Sequence, residues 1–410
     1  MKRTHHCNEL REEHVGQTVT LNGWVHSNRD LGWVIFIDIR DREGRTQAVF
    51  DPSDLPADLF ETASKLHSES VMSVTGKVRV RPDGTKNEKI DTGLVEVLAD
   101  KLEVLNQADV LPFSIDDPEV AAKVNEELRL KHRYLDLRRP EMIHNMRLRS
   151  RVATATRVFM EEQGFLEIET PTLFKSTPEG AREFLVPSRV HPGQFYALPQ
   201  SPQQFKQILM CAGVDKYFQL ARCYRDEDLR ADRQPEFTQI DLEMSFVDEE
   251  DIFSNFGGLT RHVFKKVKGI DLPDPFPRMT WEDAWRTYGS DKPDLRFGMK
   301  IHDIKSFTDQ SEFNAFKSSE VVKGLVVDGG AKYSRKIIDE LTDFVKNYKA
   351  KGLAWMKGKD GALSGGISKF FSAELQAEMR SLLGINDNDI LFLIGDDKMT
   401  ALKALSLIHI

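Results

Sequence analysis

The sequence contains very little cysteine, three residues in 410. Cys7, Cys211 and Cys223 are odd in number and include no C-x-x-C pair, which argues against a disulfide framework and against a cysteine-ligated zinc. No apolar run approaches the ~18 residues that a membrane span needs, and Lys2 and Arg3 are not followed by an apolar segment. The sequence therefore predicts a protein of the reducing cytoplasm, with no membrane partner.

Signatures of the common nucleotide-binding loops are also missing. The chain has neither a Walker-type phosphate loop nor the glycine fingerprint of dinucleotide-binding folds, and it shows no internal repeat or low-complexity tract. Any ATP would therefore be bound in another way. With 40% hydrophobic and 30% charged residues, length and composition predict two or three globular domains.

Positive charge is scarce overall but concentrated locally. The formal net charge is -8, yet eight Arg or Lys residues stand between Arg129 and Arg151 against two acids, Asp136 and Glu141. Whole-chain charge does not exclude a nucleic-acid partner when basic residues are clustered. The cluster either follows a phosphate backbone or is a solvated helix face or a set of ion pairs.

The first hundred residues alternate short apolar-rich runs with turn signals, which is typical of a small five-stranded barrel. The predicted strands are Thr18–His26, Trp33–Arg40, Thr46–Phe50, Val71–Val80 and Leu94–Ala99. In the second run, Ile35, Ile37 and Ile39 share one face. Phe36 therefore lies on the opposite, polar face, where it either stacks unpaired bases or is covered by a neighbouring loop or domain.

A linker with Pro and Asp residues, from Ala108 to Pro118, is followed by alternating helices and strands. The predicted elements are a helix over Arg147–Gln163, a strand over Phe165–Pro171, a helix beginning at Ser201-Pro202, and strands over Tyr217–Tyr224 and Glu236–Phe246. The second helix has an apolar stripe that we expect to be buried, formed by Phe205, Ile208, Leu209 and Ala212. In the last strand the apolar set that ends at Phe246 is expected to face the core.

The polar face of that last strand carries Gln239, Asp241 and Glu243. The loop before it, residues 225–235, contains three arginines and four acidic residues. A charged loop is usually only solvated. A polar strand face that continues into such a loop is better explained by a phosphate-bearing ligand, because arginines bind phosphates and carboxylates bind an amine or Mg²⁺.

Two segments resemble motifs 1 and 2 of the class II aminoacyl-tRNA synthetases, namely Gly164–Pro171 and Phe218–Asp241. Ser176–Arg182 and Gln200–Lys206 narrow the resemblance to the aspartyl branch of that family. Other segments are similar to the anticodon barrel and the bacterial insertion domain of this branch: Gly23–Gly44, Gly352–Lys357 and Ile367–Phe371. The resemblance spans Arg3 to Ala404 in the family's order.

The resemblance implies a multidomain α+β protein. It has an OB-fold anticodon-binding barrel at 1–107, a hinge at 108–135, a class II antiparallel-sheet catalytic domain at 136–285 and an α+β insertion domain at 286–404. The family's motif 3, a second arginine for the substrate carboxylate and the Mg²⁺ ligands do not appear among these residues, so the catalytic domain is expected to be incomplete and the 410 residues inactive. The end of the chain, 405–410, does not resemble the family and is expected to be a non-native tail.

The activity that the resemblance implies is formation of aspartyl-adenylate from ATP and L-aspartate, with Mg²⁺, and transfer to the 3′ end of tRNA-Asp by a homodimer. The implied aspartate-binding residues are Glu179, Gln203, Lys206 and Arg225, and the implied ATP-binding residues are Arg225, Asp226, Glu227 and Gln234. Gln239 and Asp241 are expected on the active-site face. No metal ligand is expected within the chain.

In the barrel, the positions that match the family's anticodon-reading residues are Arg29, Phe36, Gln47 and Glu96. Leu31 stands where some relatives that also charge tRNA-Asn have a histidine, which favours restriction to tRNA-Asp. Two alternatives remain open: an asparaginyl or lysyl relative, and a non-catalytic tRNA-binding protein built on a synthetase body. The Ser176–Arg182 loop disfavours the first, and intact charged residues in the site disfavour the second.

Overall fold

Alternating apolar residues close the first five strands into a barrel, in a computed structural model that describes residues 2–115, 117–177 and 179–409. The strands are β1 (Thr18–Asp30), β2 (Ile35–Arg40), β3 (Arg45–Phe50), β4 (Val71–Val80) and β5 (Val95–Asn106). They are hydrogen-bonded in the order β1-β2-β3-β5-β4, and helix α1 (Ala57–Ser64) packs against them. The predicted five-stranded barrel is confirmed, with β1 and β5 longer than predicted.

Three short helices follow the barrel, in the part of the chain predicted to be a hinge. They are α2 (Pro118–Ala122), α3 (Glu126–Lys131) and α4 (Arg133–Asp136). The side chain of Asp117 accepts hydrogen bonds from two backbone N–H groups at the start of α2, and Asn125 accepts one at the start of α3. These caps satisfy donors that a helix terminus leaves without partners.

The next part of the chain surrounds a three-stranded sheet. Its elements are α5 (Pro140–Glu162), β6 (Leu166–Glu167), β7 (Leu185–Pro187), β8 (Phe195–Ala197), α6 (Gln203–Cys211), β9 (Lys216–Tyr224), β10 (Glu236–Met244) and α7 (Glu249–Lys268). The sheet order is β10-β9-β6, and β7 pairs with β8. Helices α5 and α7 pack together, and Met160, Phe165, Phe218 and Leu259 form the core between helices and sheet.

Three predictions about these elements are wrong in detail. Helix α5 begins at Pro140 rather than Arg147, because proline is accepted at the first helical position. Strand β10 ends at Met244; Phe246 has a φ of 57° and is fully exposed, because the left-handed backbone turns it out of the strand. In α6, Ile208 is 61% exposed, so the apolar stripe is only partly buried against β9 and β10.

Residues Pro275–Ile410 form a separate compact unit. Its elements are α8 (Trp281–Tyr288), β11 (Ile301–Asp303), α9 (Lys305–Asp309), α10 (Asn314–Lys317), β12 (Val321–Val327), α11 (Arg335–Lys346), β13 (Ala354–Lys359), β14 (Ala362–Ser364), α12 (Ala373–Leu383), β15 (Ile390–Asp396) and α13 (Lys398–His409). The antiparallel sheet has the order β11-β12-β15-β13-β14. Two apolar clusters pack against it.

The contacts divide the chain between Asp274 and Pro275, whereas the boundary was expected between 285 and 286. Helix α8 therefore belongs to the second unit, where it packs against α13 and β11. At the other end of this unit, most of the segment expected to be a non-native tail is helical. It continues α13 to His409, and Leu405 and His409 are buried. Ile410 lies outside the described residues.

Candidate active site and nucleic-acid interface

A lysine on α6 meets two carboxylates on β10. The antiparallel register of β9 and β10 turns Asp241 and Glu243 to the side of the sheet on which α6 packs. Lys206 Nζ lies 3.1 Å from Asp241 Oδ1 and 3.3 Å from Glu243 Oε2. The structure thus brings together Lys206 and Asp241, which are 35 positions apart in the sequence.

Burial gives Asp241 an unusual ionisation. The residue is only 9% exposed, and desolvation raises the pKa of its carboxyl, opposed by the nearby Lys206 ammonium. Its second oxygen, Oδ2, has no hydrogen-bond partner among the described residues. Burial likewise raises the pKa of the neighbouring Tyr217 hydroxyl well above its ordinary value. The α6 side of the sheet therefore carries a buried carboxyl group with one oxygen that has no described protein partner.

This burial predicts a gain in stability when the charge at Asp241 is removed. Below the ordinary aspartate pKa of ~4, folded and unfolded states both bind the proton. As pH rises through the raised pKa of the folded state, the stability associated with the protonated group is lost. Asp241→Asn is therefore expected to raise the thermal unfolding midpoint at pH 7 and to flatten its dependence on pH above ~4. A lower midpoint at pH 7 would show that the ion pair with Lys206 outweighs the cost of burial.

Glu179 lies at the start of α6, held by hydroxyl groups. Its two carboxylate oxygens accept hydrogen bonds from Ser201 Oγ at 2.6 Å and from Thr177 Oγ1 at 3.2 Å. Ser201 Oγ also accepts the backbone N–H of Gln203 at 3.0 Å. Pro178, beside Glu179, lies outside the described residues. Glu179 and Gln203 are therefore linked through one serine, Ser201.

Gln200 is a residue that the sequence reasoning missed. Its buried side-chain amide donates to the carbonyl oxygen of Ala181 and accepts from the N–H of Ala181, both at 2.9 Å. This pair of bonds ties the Ser176–Arg182 loop to the segment before α6. The available signal was the position of Gln200 at the start of Gln200–Lys206, but its loop partner depends on the tertiary fold.

The charged loop before β10 surrounds a cleft. The Arg225 guanidinium lies 5.1 Å from the centre of the Phe237 ring, and its NH2 is 3.5 Å from the Gln200 carbonyl oxygen. The residues that line the cleft are Arg225, Glu227, Asp228, Leu229, Asp232, Arg233, Gln234 and Phe237. Three of the four residues predicted to bind ATP therefore share one cavity wall. The fourth, Asp226, instead connects this loop to the Ser176–Arg182 loop, since its backbone N–H donates to the Arg182 carbonyl oxygen at 2.9 Å.

Gln239 has a neighbour that the sequence did not suggest. The Cys223 thiol on β9 donates to Gln239 Oε1 on β10 at 3.1 Å. Burial raises the pKa of this thiol to about 11, so it keeps its proton and acts as a donor near neutral pH. With its oxygen engaged, the Gln239 amide keeps its NH₂ group for another partner.

On the barrel, the four predicted nucleic-acid residues lie together. Arg29 NH2 donates to Gln47 Oε1 at 2.9 Å, and Gln47 Nε2 donates to Glu96 Oε2 at 2.8 Å. The Arg29 guanidinium lies 5.8 Å from the centre of the Phe36 ring. Phe36 is half-buried between two buried isoleucines of β2, so the predicted alternation is confirmed.

The sequence did not point to two further residues, one on this face of the barrel and one in the loop before β2. Arg79 on β4 is paired in register with Glu96 on β5, and its Nε donates to Glu96 Oε1 at 2.8 Å. Trp33, in the loop before β2, is 70% exposed. The sequence signal for Arg79 was its place among the valines of Val71–Val80, but strand pairing alone shows that it meets Glu96. This part of the barrel combines two arginines with the half-buried Phe36 and the exposed Trp33, as single-stranded nucleic-acid sites do. Gln47 and Glu96 are themselves buried, at 5% and 1% exposed.

The basic run from Arg129 to Arg151 is largely engaged in internal contacts. Three of its arginines surround the buried carboxylate of Asp136: Arg129, Arg133 and Arg139. Arg138 pairs with Glu69, and Arg147 with Glu43. Within the described residues the ion-pair interpretation therefore accounts for most of this cluster.

Neither metal sites nor membrane spans were found in the part of the chain that the structure describes. No group of three or more His, Cys, Asp or Glu residues could hold a metal ion there. No helix among the same residues is long and apolar enough to cross a bilayer.

Two family models match this chain. Residues 125–393 match the family described as tRNA synthetases class II (D, K and N), and residues 19–105 match the OB-fold nucleic acid binding domain. The chain belongs to the class II (D, K and N) tRNA synthetase family. The synthetase match includes Lys206 and Asp241, and the OB-fold match includes Phe36.

Individual relatives narrow the comparison. The chain is 51% identical over 413 residues to the aspartate–tRNA ligase of Bacillus licheniformis, covering 100% of this chain and 69% of that protein. It is 51% identical over 407 residues to the aspartate–tRNA(Asp/Asn) ligase of Bacillus subtilis, covering 98% and 68%. Its fold resembles asparaginyl-tRNA synthetase from Pyrococcus horikoshii complexed with asparaginyl-adenylate, with a TM-score of 0.59, 20% identity and coverage of 100% and 95%.

Proposed function

We propose that the chain belongs to an aspartate–tRNA ligase that activates L-aspartate with ATP and transfers it to the 3′ end of tRNA-Asp. The observation that carries this proposal is the group formed by Lys206, Asp241 and Glu243 on the α6 side of the sheet. The names of the relatives at about half identity, aspartate–tRNA ligases, support the same conclusion.

The charges of this group suit an acidic amino acid. One ammonium faces two carboxylates, so the group is net negative and partly desolvated. A ligand that offers a side-chain carboxylate to Lys206 and an ammonium to the acids would complete both halves of the group. Asparagine, with a neutral side-chain amide, would leave Lys206 without a new anionic partner. This charge pattern supports L-aspartate over the amide.

Activation would depend on positioning and charge neutralisation rather than on a covalent enzyme intermediate. An oxygen of the aspartate α-carboxylate attacks the α-phosphorus of ATP, and pyrophosphate leaves. Both reactants are anionic, so a planar guanidinium that binds both would lower their repulsion. We assign this role to Arg225, because its guanidinium lies over Phe237 at the edge of the cleft that the charged loop surrounds. Glu227 and Gln234, in the same cavity wall, would contact the nucleotide.

A direct assay tests the proposal in a protein that carries these residues together with the family's third motif. Exchange of labelled pyrophosphate into ATP is expected to require L-aspartate and to be at background with L-asparagine or L-lysine. Exchange that responds to asparagine or lysine would favour the other branches of the family. Binding of tRNA without any amino-acid-dependent exchange would favour a non-catalytic tRNA-binding protein.

Mg²⁺ is expected for the ATP reaction, but the described residues do not offer a site for it. The nearest paired acids, Asp241 and Glu243, are engaged with Lys206. No step is therefore assigned to a metal held by this part of the chain.

Homodimer formation is proposed from the edge of the catalytic sheet. Strand β6 is the outer strand in the order β10-β9-β6, and Leu166 on it is exposed. An edge strand with an exposed apolar side chain offers a surface for association with a second copy. Sedimentation is expected to show a dimer at micromolar concentration, and Leu166→Glu is expected to shift it toward monomer. A stable, active monomer of the parent protein would contradict the proposal.

The choice between tRNAs is proposed to depend partly on Leu31. Its exposed side chain lies in the loop between β1 and β2, next to the strand end that carries Arg29. The parent chain is expected to bind the anticodon stem-loop of tRNA-Asp more tightly than that of tRNA-Asn. Leu31→His is expected to narrow this difference severalfold, measured by titration of each stem-loop. Equal affinities in the parent would show that Leu31 does not restrict recognition.

The cellular location proposed is the cytoplasm. All three cysteines are free thiols, and Cys7 and Cys223 are buried. Reduced cysteines are the rule in a reducing compartment.

A further inference from the structure

The barrel and the long helix α5 meet at one buried carboxylate, that of Glu69. This residue lies in the loop before β4, is 3% exposed and has a φ of 69°, in the left-handed region that favours glycine. Its Oε2 accepts a hydrogen bond from Arg138, just before α5, at 2.5 Å. Its Oε1 accepts one from Arg40, the last residue of β2. One acid thus joins a barrel strand to the helix that leads into the catalytic sheet.

The same junction is reinforced by two further contacts of its arginines. The Arg138 guanidinium stacks on Trp24 of β1, 5.1 Å from the ring centre. Arg40 NH1 also donates to the backbone carbonyl of Arg138 at 3.1 Å. Removal of the carboxylate would leave two partly buried arginines near each other without their shared anion, which is unfavourable.

A second attachment lies further along α5. Arg147 pairs with Glu43 at 2.8 Å and donates to the carbonyl oxygen of Arg42, both in the turn between β2 and β3. Arg147 is nine positions after Arg138, and the helical part of this interval, from Pro140 to Arg147, is about 10 Å long. Two attachments at this separation resist both sliding and rotation of the barrel on α5.

These contacts connect the two proposed binding sites. Strand β2 carries Phe36 and ends at Arg40, within the junction. At its other end, α5 packs on α7 and contributes Met160 to the core under β9. A continuous path of packed elements therefore runs from the base-stacking face to the catalytic sheet.

We infer that Glu69 is a positioning residue for tRNA. It holds the barrel so that one tRNA molecule reaches both the barrel face with Phe36 and the proposed catalytic group with Lys206 and Asp241. The inference rests on the proposed function. A ligand that binds two sites gains affinity only if their spacing matches its own, and a loose junction forfeits part of that gain. Glu69 itself is buried, so it acts through Arg40 and Arg138 and not by touching RNA.

Glu69→Gln separates positioning from simple electrostatics, because the two predict changes of opposite sign. Loss of a negative charge would by itself favour binding of an RNA polyanion. A loosened junction would weaken it. Glu61→Gln is the matched control: it removes the same charge from an exposed residue of α1, whose described ion pair is the local one with Lys65.

Binding is measured with whole tRNA-Asp and with its isolated anticodon stem-loop. Glu69→Gln is expected to raise the Kd for the whole tRNA roughly 5- to 30-fold, while the Kd for the stem-loop stays within about twofold. Glu61→Gln is expected to leave both unchanged or slightly lower. Equal weakening for both RNAs would overturn the inference, since it would show a damaged barrel. An unchanged or tighter whole-tRNA complex would also overturn it.

A distance measurement tests the junction without RNA. Spin labels at Lys86→Cys in the barrel and Ser254→Cys on α7, in a Cys211→Ser background, report the separation of the two parts. The parent is expected to give one narrow distance distribution, and Glu69→Gln and Arg138→Gln are each expected to broaden it. The distance distribution of the variant with both substitutions should be no broader than the broader of the two single-variant distributions, because both changes break one network. An unchanged distribution in Glu69→Gln would overturn the inference. Failure of the parent to bind the stem-loop would instead refute the proposed function, and the label distances would still decide the junction.

Discussion

Replacement of Lys206 or Arg225 by alanine is expected to reduce aspartate-dependent pyrophosphate exchange at least ~100-fold, the scale observed when a preorganised electrostatic group is lost. For Lys206 the reason is the balance of charge in the group that it forms with Asp241 and Glu243. Without its ammonium, Asp241 and Glu243 would face each other and an incoming carboxylate with no cation between them. For Arg225 the reason is the loss of the cation that would bridge two anionic reactants.

The measurement uses a protein that also carries the family's third motif, with saturating ATP and varied L-aspartate. Lys216→Ala is a suitable control, because the described contacts of this side-chain nitrogen are with the Gln163 carbonyl and the Phe165 ring and not with Asp241 or Glu243. Arg225→Lys keeps the charge but not the planar fork, and is expected to recover only part of the activity. Exchange at near-parent rates in either alanine variant would remove that residue from the proposed site.

Phe36→Ala is expected to weaken binding of the tRNA-Asp anticodon stem-loop by about 1–3 kcal/mol, the contribution of one base stacked on an aromatic ring. The structure favours this role because the ring lies on the polar face of the barrel, beside Arg29, Gln47 and Glu96. The expected loss is mainly one of stacking, since no charge is removed.

Two comparisons make this prediction specific. Phe36→Tyr retains the ring and is expected to bind within a few-fold of the parent. The slope of log Kd against log salt concentration is expected to be the same for Phe36→Ala and the parent, because the number of neutralised phosphates is unchanged. An affinity of Phe36→Ala equal to that of the parent would exclude stacking on this residue.

The hydrophobic pattern predicted most of the barrel because its strands have one dry face. Ile35, Ile37 and Ile39 alternate with Phe36, Asp38 and Arg40, and a shift of one residue would expose all three isoleucines. The same logic failed for Phe246 and Ile208. An apolar residue in the right period is buried only if another element covers it, and periodicity does not report what lies across the surface.

The candidate site shows the same division. Its residue types and order along the chain were recognisable, including Lys206, Arg225 and the polar face of β10, because a short motif carries them. Their partners were not recognisable: Lys206 with Glu243, Gln239 with Cys223, and Gln200 with Ala181. Such contacts join elements that are distant in sequence, so they depend on strand register and helix packing.

The sequence by itself determined the family resemblance, the OB-type barrel, the polar strand face and the identity of the charged residues that we assign to catalysis. Only the tertiary structure decided how the basic run from Arg129 to Arg151 is used. Charge counting favoured a solvated face or ion pairs over phosphate binding, but it does not show where the acids lie. The fold places Asp136 among Arg129, Arg133 and Arg139. It also pairs Arg138 with Glu69 and Arg147 with Glu43, and these two pairs hold the barrel on α5.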